Sequence, residues 1–383
     1  SPDELPYLWL QLDQNIRKKN APNLDKNSSG KSVSQSPSSF LRNYTNEDFD
    51  GGFTINSVQD IEGNILPFKI NQTMMRVDLK KALAPGQVFE FKIDWWYNIN
   101  NRMEYGGRSG YETFENDLNK VYTIAQFFPR LCVYNDVEGW QNFQFWGNGE
   151  FALEFGDYEV NITVPSDHIM EATGSLLNPK EVLTRVEYRR FIDSNSSFDK
   201  PILIVTQDEA FLKESSFSKT KSTWRYSAKN VRDFAFASSR KFIWERQAVK
   251  VGENKVMAVS IYPKEGNPLW EDYSTKAVIQ TLKTYSKFTF DYPYPKAVSV
   301  HAKRIGMEYP MICFNFGRPE EDGSYSERTK FGMISVIIHE VGHNYFPMIV
   351  NSDERQWGWM DEGLDTFVQY LTEQDFGVSY PES

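Results

Sequence analysis

Residues 328–346, RTKFGMISVIIHEVGHNYF, constrain this chain more than any other stretch. The pattern predicts a helix that carries the apolar run Val336, Ile337 and Ile338 and also two histidines, His339 and His343. At about 3.6 residues per turn, those two imidazoles stack on one face, with Glu340 offset by about 100° beside them. Two imidazoles on an otherwise apolar helix are costly to bury without partners. A metal ion held between them removes that cost. Glu340 would then stand where a carboxylate can take a proton from water activated at the ion. Whatever fold the chain adopts must bring at least one more donor to this face.

A catalytic zinc site needs three protein ligands and one open position. The chain has four histidines. His168 falls in a β-rich region, and His301 sits in SVHAKR, where a strand histidine satisfied by its neighbours is expected. Carboxylates are the better candidates. The stretch WGWMDEGLDTFVQYL predicts a second helix bearing Asp361, Glu362 and Asp365, and Pro347 with NSDERQWG permits the turn that packs it back on the first. Leu364, Phe367, Val368 and Leu371 mark its expected buried face. Helical geometry does not by itself choose among the three acids.

The rest of the 383 residues divides by texture. Residues 1–50 are expected to form an irregular N-terminal arm, since 16–49 are polar and rich in Ser, Asn and Lys. From 51 to 255 period-two alternation predicts an antiparallel β domain. Phe89, Phe91, Ile93 and Trp95 alternate with charged residues, as Tyr158, Val160, Ile162 and Val164 do with polar ones. TRVEYRRFI, KPILIVTQ, KFIWERQAVKV and KVMAVSIYP read as further strands. After Pro263 helices and strands mix, with a helix over 274–288 and strands in AVSVHAK and MICFNF. A boundary is expected near 245–265, followed by an α/β domain over 256–383.

Composition excludes some functions. The net charge is −10 and no basic run stands out, which argues against nucleic acid as a partner. No apolar run approaches the length of a membrane span. The two cysteines, Cys132 and Cys313, sit in apolar surroundings and read as buried thiols. Oligomeric state and compartment stay open, with the cell envelope or exterior favoured over the cytoplasm.

HEVGH, eighteen residues and then Glu362 in WMDEGLDTF resembles the zinc aminopeptidases typified by aminopeptidase N and leukotriene hydrolase, the gluzincin pattern. The resemblance implies a single zinc ion held by His339, His343 and Glu362, with Glu340 as general base. A second stretch supports it. RIGMEYPMICFNF keeps the Met307–Glu308 pair, with Gly306 before it, of the family's G-x-M-E-N substrate-binding motif, whose glutamate holds the free α-amino group of a peptide. Asp361, Leu364 and Tyr309 depart from the residues usual in the family. The implied fold is an antiparallel β domain followed by a thermolysin-like catalytic domain, here lacking the family's C-terminal helical lobe and its oxyanion tyrosine. Tyr370 and Tyr380 lie too close to the metal helices for that role. The expected function is a zinc aminopeptidase acting on peptides with a free N-terminus. The alternatives are a zinc endopeptidase and a peptidase-like binding module impaired in catalysis.

Overall fold

The computed structural model describes residues 1–19, 21, 49–147 and 149–377; Tyr380 and most of the expected arm lie outside them. The chain forms two compact units. The first contains residues 1–110, 126–154 and 353–358. Its main sheet has the order β3-β4-β1-β8, built from β1 (Leu5–Gln11), β3 (Phe68–Asn71), β4 (Met74–Leu83) and β8 (Arg130–Leu131). β2 (Thr54–Asp60) pairs antiparallel with β5 (Phe91–Trp96), and the short β9 (Tyr134–Asn135) pairs with β10 (Gly139–Trp140). Leu10, Leu12, Phe53, Val58, Leu66, Met75 and Val77 form the core, with Phe89, Phe91, Ile93 and Trp95 packed against it, as the alternation predicts. β1 corrects the expectation of an irregular arm. Leu8, Leu10 and Leu12 are buried, so the opening residues supply a core strand before the polar stretch begins.

The second unit contains residues 111–125, 155–352 and 359–383. One sheet has the order β12-β16-β7-β6, from β6 (Gly110–Thr113), β7 (Lys120–Ile124), β12 (Ile169–Ala172) and β16 (Phe236–Ser239). A second pairs β11 (Gly156–Pro165) and β13 (Ser175–Leu176) with β15 (Lys221–Val231). The third positions the candidate site. It runs β14-β17-β18-β19-β21-β20, from β14 (Ile202–Val205), β17 (Phe242–Val251), β18 (Asn254–Pro263), β19 (Lys296–His301), β20 (Met307–Tyr309) and β21 (Ile312–Asn315). This sheet crosses the boundary expected near 245–265: β17 and β18 form a hairpin, and β18 pairs in parallel with β19. The change of texture at Pro263 marks a change from hairpins to crossovers within one sheet. Parallel pairing needs a long connection. The helix Leu269–Phe288 supplies it, burying Leu269, Trp270, Val278, Leu282 and Tyr285 along one face.

TRVEYRRFI, expected as a strand, lies mostly in the helix Arg185–Ser194. Thr184 caps it and Glu187 closes a reciprocal capping box, a local signal that outweighs the β-branched and aromatic content. Cys132 and Cys313 are free and buried, as expected. No helix among the described residues is long and apolar enough to cross a membrane.

Glu245 on β17 is buried against the crossover helix, where its Oε1 accepts a hydrogen bond from Thr275 Oγ1 at 2.5 Å. Burial pushes its carboxyl up to about 7, from an ordinary value of 4.5. The folded chain therefore binds this proton more tightly than the unfolded chain. The associated stability is complete below pH 4.5 and lost as pH rises through 7. At about 1.4 kcal/mol per unit, the wild type forfeits up to about 3 kcal/mol there. Glu245→Gln is expected to exceed the wild type in stability at pH 8 but not at pH 5, measured by denaturant unfolding followed through tryptophan fluorescence. Equal differences at both pH values would show that the carboxyl titrates normally.

Candidate active site

The two helices expected to carry the donors are α6 (Glu327–Gly342) and α7 (Gly358–Phe376), where α1 is Arg102–Tyr105, α2 Pro179–Val182, α3 Arg185–Ser194, α4 Gln207–Glu214 and α5 Leu269–Phe288. Ser326 caps α6 by accepting a hydrogen bond from the Thr329 amide. His343 closes the last turn, its amide donating to the His339 carbonyl at 3.0 Å. The helical register therefore persists through both histidines, and their Nε2 atoms face one another 3.1 Å apart.

The other ring nitrogen of each histidine fixes its tautomer. Gln369 Oε1 lies 2.9 Å from His339 Nδ1, while Gln369 Nε2 donates to Ser335 Oγ and Glu373 Oε1, both at 2.9 Å. The amide oxygen can only accept, so Nδ1 carries the proton. His343 Nδ1 likewise donates to the Phe346 carbonyl at 2.8 Å. In the neutral rings both Nε2 atoms present lone pairs toward each other, an arrangement that a shared cation, proton or metal, relieves.

Of the three acids on α7, Glu362 alone meets that face closely. Its Oε2 is 3.4 Å from His339 Nε2 and 3.8 Å from His343 Nε2. Asp365 Oδ2 is 3.0 Å from His339 Nδ1 and 4.0 Å from His343 Nε2, and Asp361 Oδ1 is 3.1 Å from His343 Nδ1, so these two lie nearest the Nδ1 edges of the imidazoles. Tyr285 in turn donates to Asp365 Oδ1 at 3.0 Å. A tetrahedral site with bonds of roughly 2.0–2.2 Å sets its donors about 3.3–3.5 Å apart. The three donor atoms, 3.1, 3.4 and 3.8 Å apart, lie within about 0.3 Å of that spacing, and two nitrogens with one carboxylate oxygen suit zinc. Without an ion, burial alone would lower the basicity of His339, yet the Asp365 and Glu362 carboxylates draw it up to about 11. The pocket is built to hold positive charge. Glu362 is 56% exposed, so the donor face opens to solvent and leaves room for a fourth ligand.

This inward use of carboxylates corrects the expected face of α7. Asp361, Asp365, Val368 and Thr372 are buried, while Leu364 and Phe367 are 46% and 60% exposed. The helix turns its acids toward the histidines at the expense of its apolar residues.

Glu340 is buried, and its Oε2 has no hydrogen-bond partner among the described residues. Burial pushes its carboxyl up to about 7, the range in which a general base works. Gly306 faces it: a Cβ at that position would fall 2.3 Å from Glu340 Oε1 and 2.9 Å from Val336 Cγ2. Glu308 lies on β20, the terminal strand of the sheet, and its carboxylate, His343 and Asp361 bring donor atoms within 4.8 Å of one another. Met307, beside it, is buried and pairs with Phe314 of β21. The remaining histidines stand elsewhere: His168 Nδ1 contacts Ser238 Oγ at 2.8 Å, and His301 Nε2 accepts from Arg318 Nε at 3.4 Å.

The sequence reading did not single out Gln369, Tyr285 or Gly342. Gly342 had a visible signal, standing inside HEVGH. A Cβ there would fall 2.2 Å from Tyr285 Oη and 2.4 Å from Asp365 Oδ1. Only glycine lets the tyrosine–aspartate pair approach the helix so closely.

No protein-family model matches the chain. Its fold is that of the M1 zinc metallopeptidases. It superposes on the M1 zinc metallopeptidase of Deinococcus radiodurans with a TM-score of 0.56 at 13% identity, over 98% of this chain and 64% of that one. A point mutant of the Deinococcus protein, solved with a Tyr-Ser-Ala substrate, gives a TM-score of 0.53 at 12% identity, over 98% and 65%. Legionella pneumophila aminopeptidase A, in complex with aspartic acid, gives 0.55 at 10% identity, over 97% and 34%. In sequence, the chain is 24% identical over 130 residues to aminopeptidase M1-A of Oryza sativa subsp. japonica, covering 32% of this chain and 14% of the rice protein. The chain thus spans less than two thirds of each of these relatives.

Proposed function

We propose that the chain carries the zinc-dependent active site of an aminopeptidase, with His339, His343 and Glu362 as metal ligands. The observation that carries this reading is the convergence of the two Nε2 atoms and Glu362 Oε2 on one point, with Glu340 beside it. A zinc ion held there supplies Lewis acidity toward the scissile carbonyl and acidifies water. Gln369 and the Phe346 carbonyl hold the two imidazoles in the tautomer that leaves Nε2 free, and the Asp365 and Asp361 carboxylates add negative charge beside them. Glu340 takes the proton of the attacking water and delivers it to the leaving amine. Glu308 binds the α-ammonium group of the peptide by a charge-assisted hydrogen bond. Extended peptide lies along β20, where an edge strand offers main-chain pairing. The anchor fixes the cut after the first residue.

The test compares cleavage, by the full-length protein, of one peptide with a free and with an acetylated N-terminus. Cleavage of the free form alone is expected. Equal cleavage of both would mean an endopeptidase and would release Glu308 from its role. Cleavage of neither, with zinc bound, would favour a binding module. Glu362→Ala is expected to weaken zinc affinity by more than about 100-fold, since outer-shell partners alone contribute about 10- to 100-fold. Full metal content in that variant, measured after dialysis, would remove Glu362 from the ligand set.

A further inference from the structure

Beyond the metal donors, the second unit has a basic surface pocket of ≈ 380 Å³ whose lining contains no acidic side chain. Lys303, Arg304, Arg318, Arg328 and His301 contribute to it, with Phe316 as an exposed apolar wall. Arg318 is neutralised by a two-point ion pair with Glu112, at 2.8 and 3.0 Å. Lys303, Arg304 and Arg328 have no ion pair or hydrogen bond with a neighbour among the described residues. Three unmatched cations in one concavity stand out in a chain of net charge −10. Arg304 also holds a left-handed backbone, φ 60°, in the turn just before β20. A non-glycine residue pays about 1–2 kcal/mol for that conformation, which here presents a guanidinium at the rim.

The pocket continues the candidate active site. Gly332, Val336 and Glu340 follow one another at i, i+4 and i+8 on α6; Gly332 lines the pocket, Val336 abuts Gly306, and Glu340 is the base. Eight residues of helix span about 12 Å. On the facing side, Arg304 precedes Glu308 by four residues through the turn that leads into β20, so at most about 14 Å separates them. An extended substrate held by its amine at Glu308 covers a span of that size in three or four residues.

We propose that this pocket is an anion subsite that takes a carboxylate on the third or fourth residue of the substrate. That carboxylate is an Asp or Glu side chain, or the C-terminal carboxylate of a tri- or tetrapeptide. The proposal rests on the aminopeptidase reading above and adds a preference to it. A guanidinium receives a carboxylate through paired hydrogen bonds, with about twice the strength of a neutral contact.

The test uses the full-length protein and two peptide sets. Amidated hexapeptides carry Ala, Glu or Lys at the third or fourth residue, and tripeptides are supplied with free or amidated C-termini. We expect kcat/KM to favour Glu over Lys by about tenfold, which is about 1.4 kcal/mol, with less preference at high salt. The double variant R304E/R328E should abolish or invert that ratio, whereas K255E, a charge change on the distant β17–β18 hairpin, should preserve it. The same order should appear in peptide Kd values measured by anisotropy on zinc-free E340Q protein. A preference confined to the free tripeptide carboxylate would assign the subsite to chain ends, and one confined to Glu would assign it to side chains. A Glu-to-Lys ratio near one, or one that survives R304E/R328E, would overturn the subsite while the aminopeptidase reading stands. Cleavage of no peptide at all would overturn both.

Discussion

Glu340→Gln is expected to lower kcat by about 10²- to 10⁴-fold, the range that general acid–base groups contribute, while bound zinc stays unchanged. The amide is nearly the size of the carboxylate, so the packing around Gly306 and Val336 survives. It cannot accept the proton of the attacking water. The separation of activity from metal content is the informative part. Glu340 stands beside the donor triad and is not one of its three members. Loss of zinc together with activity would place Glu340 among the ligands. Near-normal hydrolysis would remove it from the chemistry altogether.

Gly306→Ala should come close behind, although the change adds one methyl group and no charge. The new carbon would meet Glu340 Oε1 at 2.3 Å, well inside van der Waals contact, and Val336 blocks the other side at 2.9 Å. The Glu340 carboxylate has to move. A displacement of about 1 Å can cost about 10²-fold in rate. Zinc affinity should be spared, because the Nε2 atoms and Glu362 lie outside the clash. A kcat within about threefold of the wild type would mean that the carboxylate tolerates the shift. Pairing the change with Val336→Ala relieves the second contact only, so it should restore stability without restoring the rate.

The candidate site was more legible in the sequence than the fold around it. HExxH is a statement about helical geometry, and α6 keeps that geometry through His343. Alternating Phe and Ile residues marked β5 because its strand is half-buried, the case in which a period of two shows best. The helix over 185–194 was missed because Val186, Tyr188, Phe191 and Ile192 look like strand residues, whereas its decisive feature is the Thr184–Glu187 capping box. The buried face of α7 was misjudged for a chemical reason. Hydrophobic periodicity assumes that apolar residues point inward, but here Asp361 and Asp365 are turned inward to partner imidazoles. The boundary near 245–265 failed because composition reports local texture, while β17, β18 and β19 are joined by pairing across it. Gln369 carries no motif; its role comes from its position one α7 turn beyond Asp365, which a spacing argument finds only once the histidine tautomers are asked for.

β20 is only three residues long. An enzyme that shortens a peptide one residue at a time must re-seat the remainder after every cut, and each one-residue advance along a strand turns every side chain to the opposite face. A long edge would grip both settings through many main-chain hydrogen bonds and make each step slow. Three residues offer few such bonds, so on the proposed function the trimmed peptide escapes readily and returns inverted. Such an enzyme would be distributive, releasing its substrate between cuts, and indifferent to the alternating pattern of the sequence it consumes.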